Sequence, residues 1–146
     1  MTTKQKVAAG ALSVIAATAT LAGVASPAQA AYPTTTFTLK YGNSYASGNL
    51  TWYNRSVRVA GNIAVTAGNC RWIEAGTYYL DSKGEHYIDS DARGPYCNSG
   101  SSTIIDQFDF TVLADISGGA EMVKVEFGED LVNPFVSKKC FKATPC

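Results

Sequence analysis

Apolar and polar residues alternate with a period of two along most of the chain after residue 34, the pattern of strands with one buried face. Phe37, Leu39 and Tyr41 alternate with Thr36, Thr38 and Lys40. Leu50 and Trp52 flank Thr51, and Asn54-Arg55 reads as a turn. Val57, Val59, Ile63 and Val65 hold one parity through Gly61, which argues for one long strand containing a glycine, with a tight turn at Gly61-Asn62 as the alternative. Gly68-Asn69 ends that run, and Cys70, Trp72 and the stretch Tyr78–Leu80 begin another. Residues 81–103 are polar and punctuated by Gly84, Gly94 and Pro95, so they read as a loop around a short strand near Tyr87-Ile88. Phe108, Phe110 and Val112, then Ser117-Gly118-Gly119, then Val123, Val125 and Phe127 read as a hairpin. Residues 131–146 read as an irregular tail tied by a disulfide.

Seven or eight such runs without a helical period predict an all-β fold: a two-sheet β-sandwich with Greek-key-like connections, with a small closed barrel as the alternative.

The opening stretch has a different pattern. Lys4 and Lys6 are its only charges, Val7 to Ala25 form a mostly apolar run, and Pro27 precedes Ala28-Gln29-Ala30. A basic start, an apolar middle and an Ala-x-Ala ending are the parts of a cleavable secretory leader, so residues 1–30 are expected to be a signal peptide cut after Ala30. The expected product is a single secreted, extracellular domain, residues 31–146, with no membrane association once the leader is gone. Its ten basic and twelve acidic residues exclude the basic footprint of a nucleic-acid binder.

Export changes the meaning of the cysteines. Cys70, Cys97, Cys140 and Cys146 are an even set, compatible with three pairings, and we expect Cys70–Cys97 and Cys140–Cys146. No close cysteine pair stands with a histidine at zinc-ligand spacing.

Catalytic chemistry is sparsely supplied. His86 is the lone histidine, in a polar stretch with no Gly-x-Ser-x-Gly elbow anywhere in the chain. Asp81, Glu85, Asp89 and Asp91 offer carboxylates without a recognisable spacing. Asp89-Ser90-Asp91 opens like a calcium loop, but Arg93 occupies a ligand position and Gly100 the place of the closing acid. We therefore expect no catalytic residue, no metal and no cofactor. Aromatic side chains are plentiful. Within Trp52-Tyr53 and Tyr78-Tyr79 one ring of each pair should point inward and the other outward. Tyr78, Tyr87 and Tyr96 are the candidate binding residues.

The run Asn49-Leu50-Thr51-Trp52-Tyr53-Asn54-Arg55-Ser56-Val57 and the later Gly118-Gly119-Ala120 resemble small secreted actinobacterial proteins of unsettled activity. Size and export are also similar to those of the adaptor subunit of umbrella-toxin particles, a sandwich that joins larger subunits. Export, two expected disulfides, many aromatic side chains and the missing catalytic chemistry together lead us to expect a non-enzymatic interaction module whose partner is an extracellular protein. A binder of cell-wall polysaccharide or another cell-surface glycan, a secreted enzyme inhibitor and a small hydrolase are the alternatives.

Overall fold

A computed structural model describes residues 32–132, 134–142, 144 and 146. The expected leader, residues 1–30, lies outside them. Eight strands run in chain order: β1 (Thr34–Tyr41), β2 (Ser44–Trp52), β3 (Ser56–Val65), β4 (Asn69–Asp81), β5 (Gly84–Asn98), β6 (Ile104–Leu113), β7 (Met122–Gly128) and β8 (Pro134–Phe141). They form two antiparallel four-stranded sheets, ordered β1-β2-β3-β6 (sheet A) and β5-β4-β7-β8 (sheet B). The all-β sandwich expected from the period-two pattern is the fold.

Its connections are Greek-key-like: β3 pairs with β6 in one sheet while the intervening β4-β5 hairpin lies in the other, and β4 pairs with β7 across β5 and β6. The core lies between the sheets. Phe37, Leu39, Leu50, Trp52, Val57, Val59, Ile63 and Val65 from sheet A meet Ile73, Ala75, Val123, Val125 and Phe127 from sheet B. Trp52 is buried, and its indole N–H donates to Thr35 Oγ1 at 2.8 Å, so the ring enters the core with its polar atom satisfied. Gly61 sits opposite Gly48 within unbroken strands. A Cβ on Gly61 would lie 2.6 Å from Gly48 Cα and 2.8 Å from the Phe108 ring. Glycine there permits a close approach that any side chain would block.

Three expectations need correction. Residues 81–103 are not mainly loop: β5, at 15 residues, is the longest strand. Its side chains are polar because it is an edge strand, so polarity here reflected position in the sheet and not irregular backbone. Phe108–Val112 and Val123–Phe127 are not a hairpin, since β6 and β7 belong to opposite sheets. Their apolar faces pack across the core instead of side by side. The crossover is seated where Gly119, at φ +72°, passes over the Asn54 carbonyl. Residues 131–146 are not simply irregular, because Val136 packs against the core and Cys140 is fully buried on β8.

Both disulfides are as expected, Cys70–Cys97 across β4 and β5 and Cys140–Cys146 at the end of β8.

Candidate functional site

Residues directly opposite in an antiparallel pair share a face. Tyr87 of β5 is opposite Tyr78 of β4, Tyr78 is opposite Met122 of β7, and Met122 is opposite Phe141 of β8. These four residues cross the whole outer face of sheet B in one row. Met122 is 0% exposed yet stands outside the inter-sheet core cluster, one residue out of phase with Val123 and Val125. Tyr87 is 59% exposed, Phe141 37% and Leu80, on the same parity as Tyr78, 38%. The row therefore has a buried centre and apolar shoulders open to solvent.

Local packing fixes the two tyrosines. Their rings meet edge to face with centroids 5.7 Å apart. The Tyr78 ring folds back over Gly76, where a Cβ would lie 3.2 Å from it. The Tyr87 hydroxyl donates to Ser90 Oγ at 3.1 Å. Partial burial raises the Tyr78 phenol above its ordinary value; nearby Lys124 opposes the shift, and Glu126, Tyr87 and Glu74 reinforce it. The raised Tyr78 phenol stays neutral at neutral pH, and both tyrosines present hydroxyls beside an apolar surface. Charge lies on the same face: Lys139 of β8 reaches across the row to Glu85 of β5, Nζ to Oε1 at 2.6 Å, and Lys124 Nζ meets Glu126 at 2.7 Å beside it. Hydrogen bonding to Glu126 raises the Lys124 ammonium above its usual range.

The three candidate tyrosines do not form one site. Tyr96 lies opposite Arg71 on the inner side of sheet B, packs against the core and reaches the Gln107 carbonyl at 3.4 Å. Burial raises its phenol as well. The inward–outward split within Tyr78-Tyr79 is present, since Tyr79 takes the other face and stacks on His86 with centroids 4.6 Å apart. Phe141, Met122 and Leu80 were missed by sequence reasoning. Phe141 fell in the stretch read as tail, and Met122 carried a signal in its phase, opposite to that of Val123-Val125-Phe127.

The polar candidates are engaged with one another. His86 Nε2 is 2.9 Å from Asp81 Oδ1. Asp81 is held below its ordinary value, first by the Lys83 backbone N–H and then by His86. Asp91 accepts from Arg93 and from the Ala92 N–H, each at 2.8 Å, and Arg93 is the main cause of its lowered pKa. The guanidinium thus sits where a calcium ion would need that carboxylate. Among the described residues no group of three or more His, Cys, Asp or Glu side chains converges as a metal site.

The outer face of sheet A is of another kind. A groove of about 390 Å³ there is lined by Asn49, Ala60, Gly61, Asn62, Gln107, Phe108 and Asp109. Arg58 holds Asp109 through Nε at 2.8 Å and through its Nη2, which lowers the Asp109 carboxyl. Phe108 is buried beneath, so the groove presents amides and a neutralised carboxylate but no ring.

Compared with protein-family models, curated proteins and solved structures, the chain matches none.

Proposed function

We propose that this chain is an exported, non-enzymatic interaction module that acts extracellularly through a protein partner. The observation that carries the reading is the row Tyr87–Tyr78–Met122–Phe141 across the outer face of sheet B, with Leu80 beside it. Exposed aromatic shoulders with charged groups on the same face suit a protein interface, in which aromatic anchors supply much of the energy.

A protein is favoured over a glycan by the ring geometry. Tyr78 and Tyr87 stand at 73° to each other, so they do not offer the flat platform on which a sugar chain stacks. Two observations favour binding over catalysis. The four cysteines are closed as disulfides, and His86 is paired with Asp81 and Tyr79 on the other side of the sheet.

The test is capture from culture supernatant by immobilised wild-type protein, Tyr87→Ala/Phe141→Ala and His86→Ala, with circular dichroism as the fold control. The wild type and the His86 variant should retain the same protein and the double variant should lose it. Co-sedimentation with an insoluble glycan, abolished by the double change, would replace the protein-partner reading with the polysaccharide one. Loss of an activity in folded His86→Ala would replace it with an enzyme.

A further inference from the structure

A sandwich of two open sheets has four edge strands, and each exposes main-chain N–H and C=O groups able to pair with another strand. Here the edges are β1 and β6 in sheet A and β5 and β8 in sheet B.

On three of them some outward main-chain groups are already taken. Antiparallel neighbours alternate between residues whose main-chain groups face the partner strand and residues whose groups face away. The Ala114 N–H donates to the Arg55 carbonyl at 2.8 Å in line with the β3–β6 register, so Ile105, Gln107, Asp109, Thr111 and Leu113 point outward on β6. The Gln107 N–H is taken by Asp106 Oδ1 at 2.8 Å, its carbonyl by the Tyr96 hydroxyl, and the Leu113 carbonyl by Thr77 Oγ1 at 2.6 Å. On β5 the Ala92 N–H donates to Asp91, and its carbonyl accepts from Arg93 at 2.6 Å. On β8 the Phe141 carbonyl accepts from the Thr144 N–H at 3.3 Å, where the disulfide-tied end of the chain returns over it. Lys139 adds charge to that strand.

The fourth edge is different. The Trp52 N–H donates to the Pro33 carbonyl at 3.0 Å, continuing the β1–β2 register, so Thr35, Phe37 and Leu39 face β2. Thr34, Thr36, Thr38 and Lys40 turn their main-chain groups to the open edge and their exposed side chains to the outer face. Among the described residues no side chain takes those main-chain groups, and the first three positions are uncharged and β-branched.

We propose that the β1 edge pairs with the β1 edge of a second copy of this chain, antiparallel about a twofold axis at Thr36. Sequence self-complementarity selects a copy over an unrelated strand. With Thr36 opposite its own equivalent, Thr34 faces Thr38 of the second copy, and Lys40 faces its Tyr32. Threonine pairs suit cross-strand neighbours, and no charge lies opposite a like charge. Centring on Thr36 is the register that sets all three outward threonines opposite threonines, and sliding until the two Lys40 residues meet is penalised. The contact is isologous and closed. It joins two copies of sheet A into one eight-stranded sheet and leaves Tyr87, on the far edge of sheet B, open on each copy, whereas Phe141, whose carbonyl accepts from Thr35 Oγ1 at 3.4 Å, lies beside the axis.

Sedimentation velocity over a concentration series tests this, with circular dichroism as the fold control. The wild type should dimerise reversibly. Thr36→Pro should abolish the dimer while keeping the fold, because proline at an outward-facing edge position removes no internal ladder bond. Thr36→Lys, which places like charges at the twofold axis, should also be monomeric. Thr111→Lys, on the β6 edge, should leave the dimer intact. Four results would each overturn the proposal: a monomer at millimolar wild-type concentration, a dimer that survives both Thr36 changes, one abolished by Thr111→Lys, and one abolished by Tyr87→Ala.

Discussion

The two sheets solve the same packing problem with different means. Sheet A is regular: its three strand pairs run without a register shift, Gly48 and Gly61 face each other at its centre, and no disulfide touches it. Sheet B contains both disulfides and register irregularities at Arg71/Ile73, Thr77/Tyr78 and Phe127/Gly128. The outer faces differ in step. Sheet A shows threonines, asparagines and the Arg58–Asp109 pair, while sheet B shows the aromatic row. A bulged strand re-aims its side chains and disturbs its ladder. Tyr78 sits at one of the irregularities, so the sheet that displays the candidate site is also the one that is covalently stapled.

That contrast is broken most severely by cutting the longer staple. Cys70–Cys97 closes a loop of 27 residues, for which the chain-entropy model gives about 3.5 kcal/mol. Cys70→Ser should lower stability by that order in urea titration. Hydrogen exchange should speed up in β4 and β5 more than in β2 and β3. The matching injury to sheet A is Gly61→Ala, which forces a methyl against Gly48 and Phe108 and should cost about 2–3 kcal/mol. If β1 and β2 stay as protected as before in the Gly61 variant, glycine packing is not what holds sheet A.

Much of this was legible in the sequence wherever one face of a strand is buried. Phe37-Leu39, Val57-Val59 and Val123-Val125 each announce a strand because alternating burial leaves a period of two. The pattern fails at edges and in pairings. β5 is exposed or half-buried at nearly every position, so its residues carry no apolar rhythm despite 15 residues of ladder. The sheet to which a strand belongs is not written in its own period, so β6 and β7 read as a hairpin although they lie in opposite sheets. The site was half legible for the same reason. Tyr78 and Tyr87 were singled out by residue type, but their union with Met122 and Phe141 depends on the register of three strand pairs.

The next test separates two tyrosines that the sequence could not tell apart. Tyr96 packs against the core, and Tyr96→Ala should cost about 2 kcal/mol, less than a fully buried ring. Tyr87 is exposed, and Tyr87→Ala should change stability by no more than about 0.5 kcal/mol. Partner capture should respond in the opposite order, with a large loss for Tyr87→Ala and little change for folded Tyr96→Ala. Thermal melts paired with capture assays distinguish the two effects, and equal stability losses would show that the Tyr87 ring is structural.

The smallest expected effect is electrostatic and falls on both sheets. Asp109 on sheet A is held below its ordinary value of 3.8 by Arg58, and on sheet B Asp91 is held down by Arg93 and Asp81 by the Lys83 N–H with His86. A carboxyl whose pKa is lower folded than unfolded binds fewer protons in the folded state. Its contribution is complete above the unfolded value and is lost as pH falls through the folded one. Stability should therefore be flat near neutrality with respect to these groups and decline below about pH 4, the ordinary carboxylate range. The Arg58–Asp109 pair is half exposed, so solvent and salt screen it and the acid decline it causes is shallow. Replacing the pair together, as Arg58→Gln with Asp109→Asn, should leave stability at pH 7 nearly unchanged and flatten only part of the acid limb. Asp91→Asn should flatten another part and also release the Arg93 guanidinium from its carboxylate at the β5 edge. Urea midpoints measured from pH 7 to pH 2 check both. An acid limb unchanged in all the variants would show that these pairs are as well formed in the unfolded chain as in the sandwich.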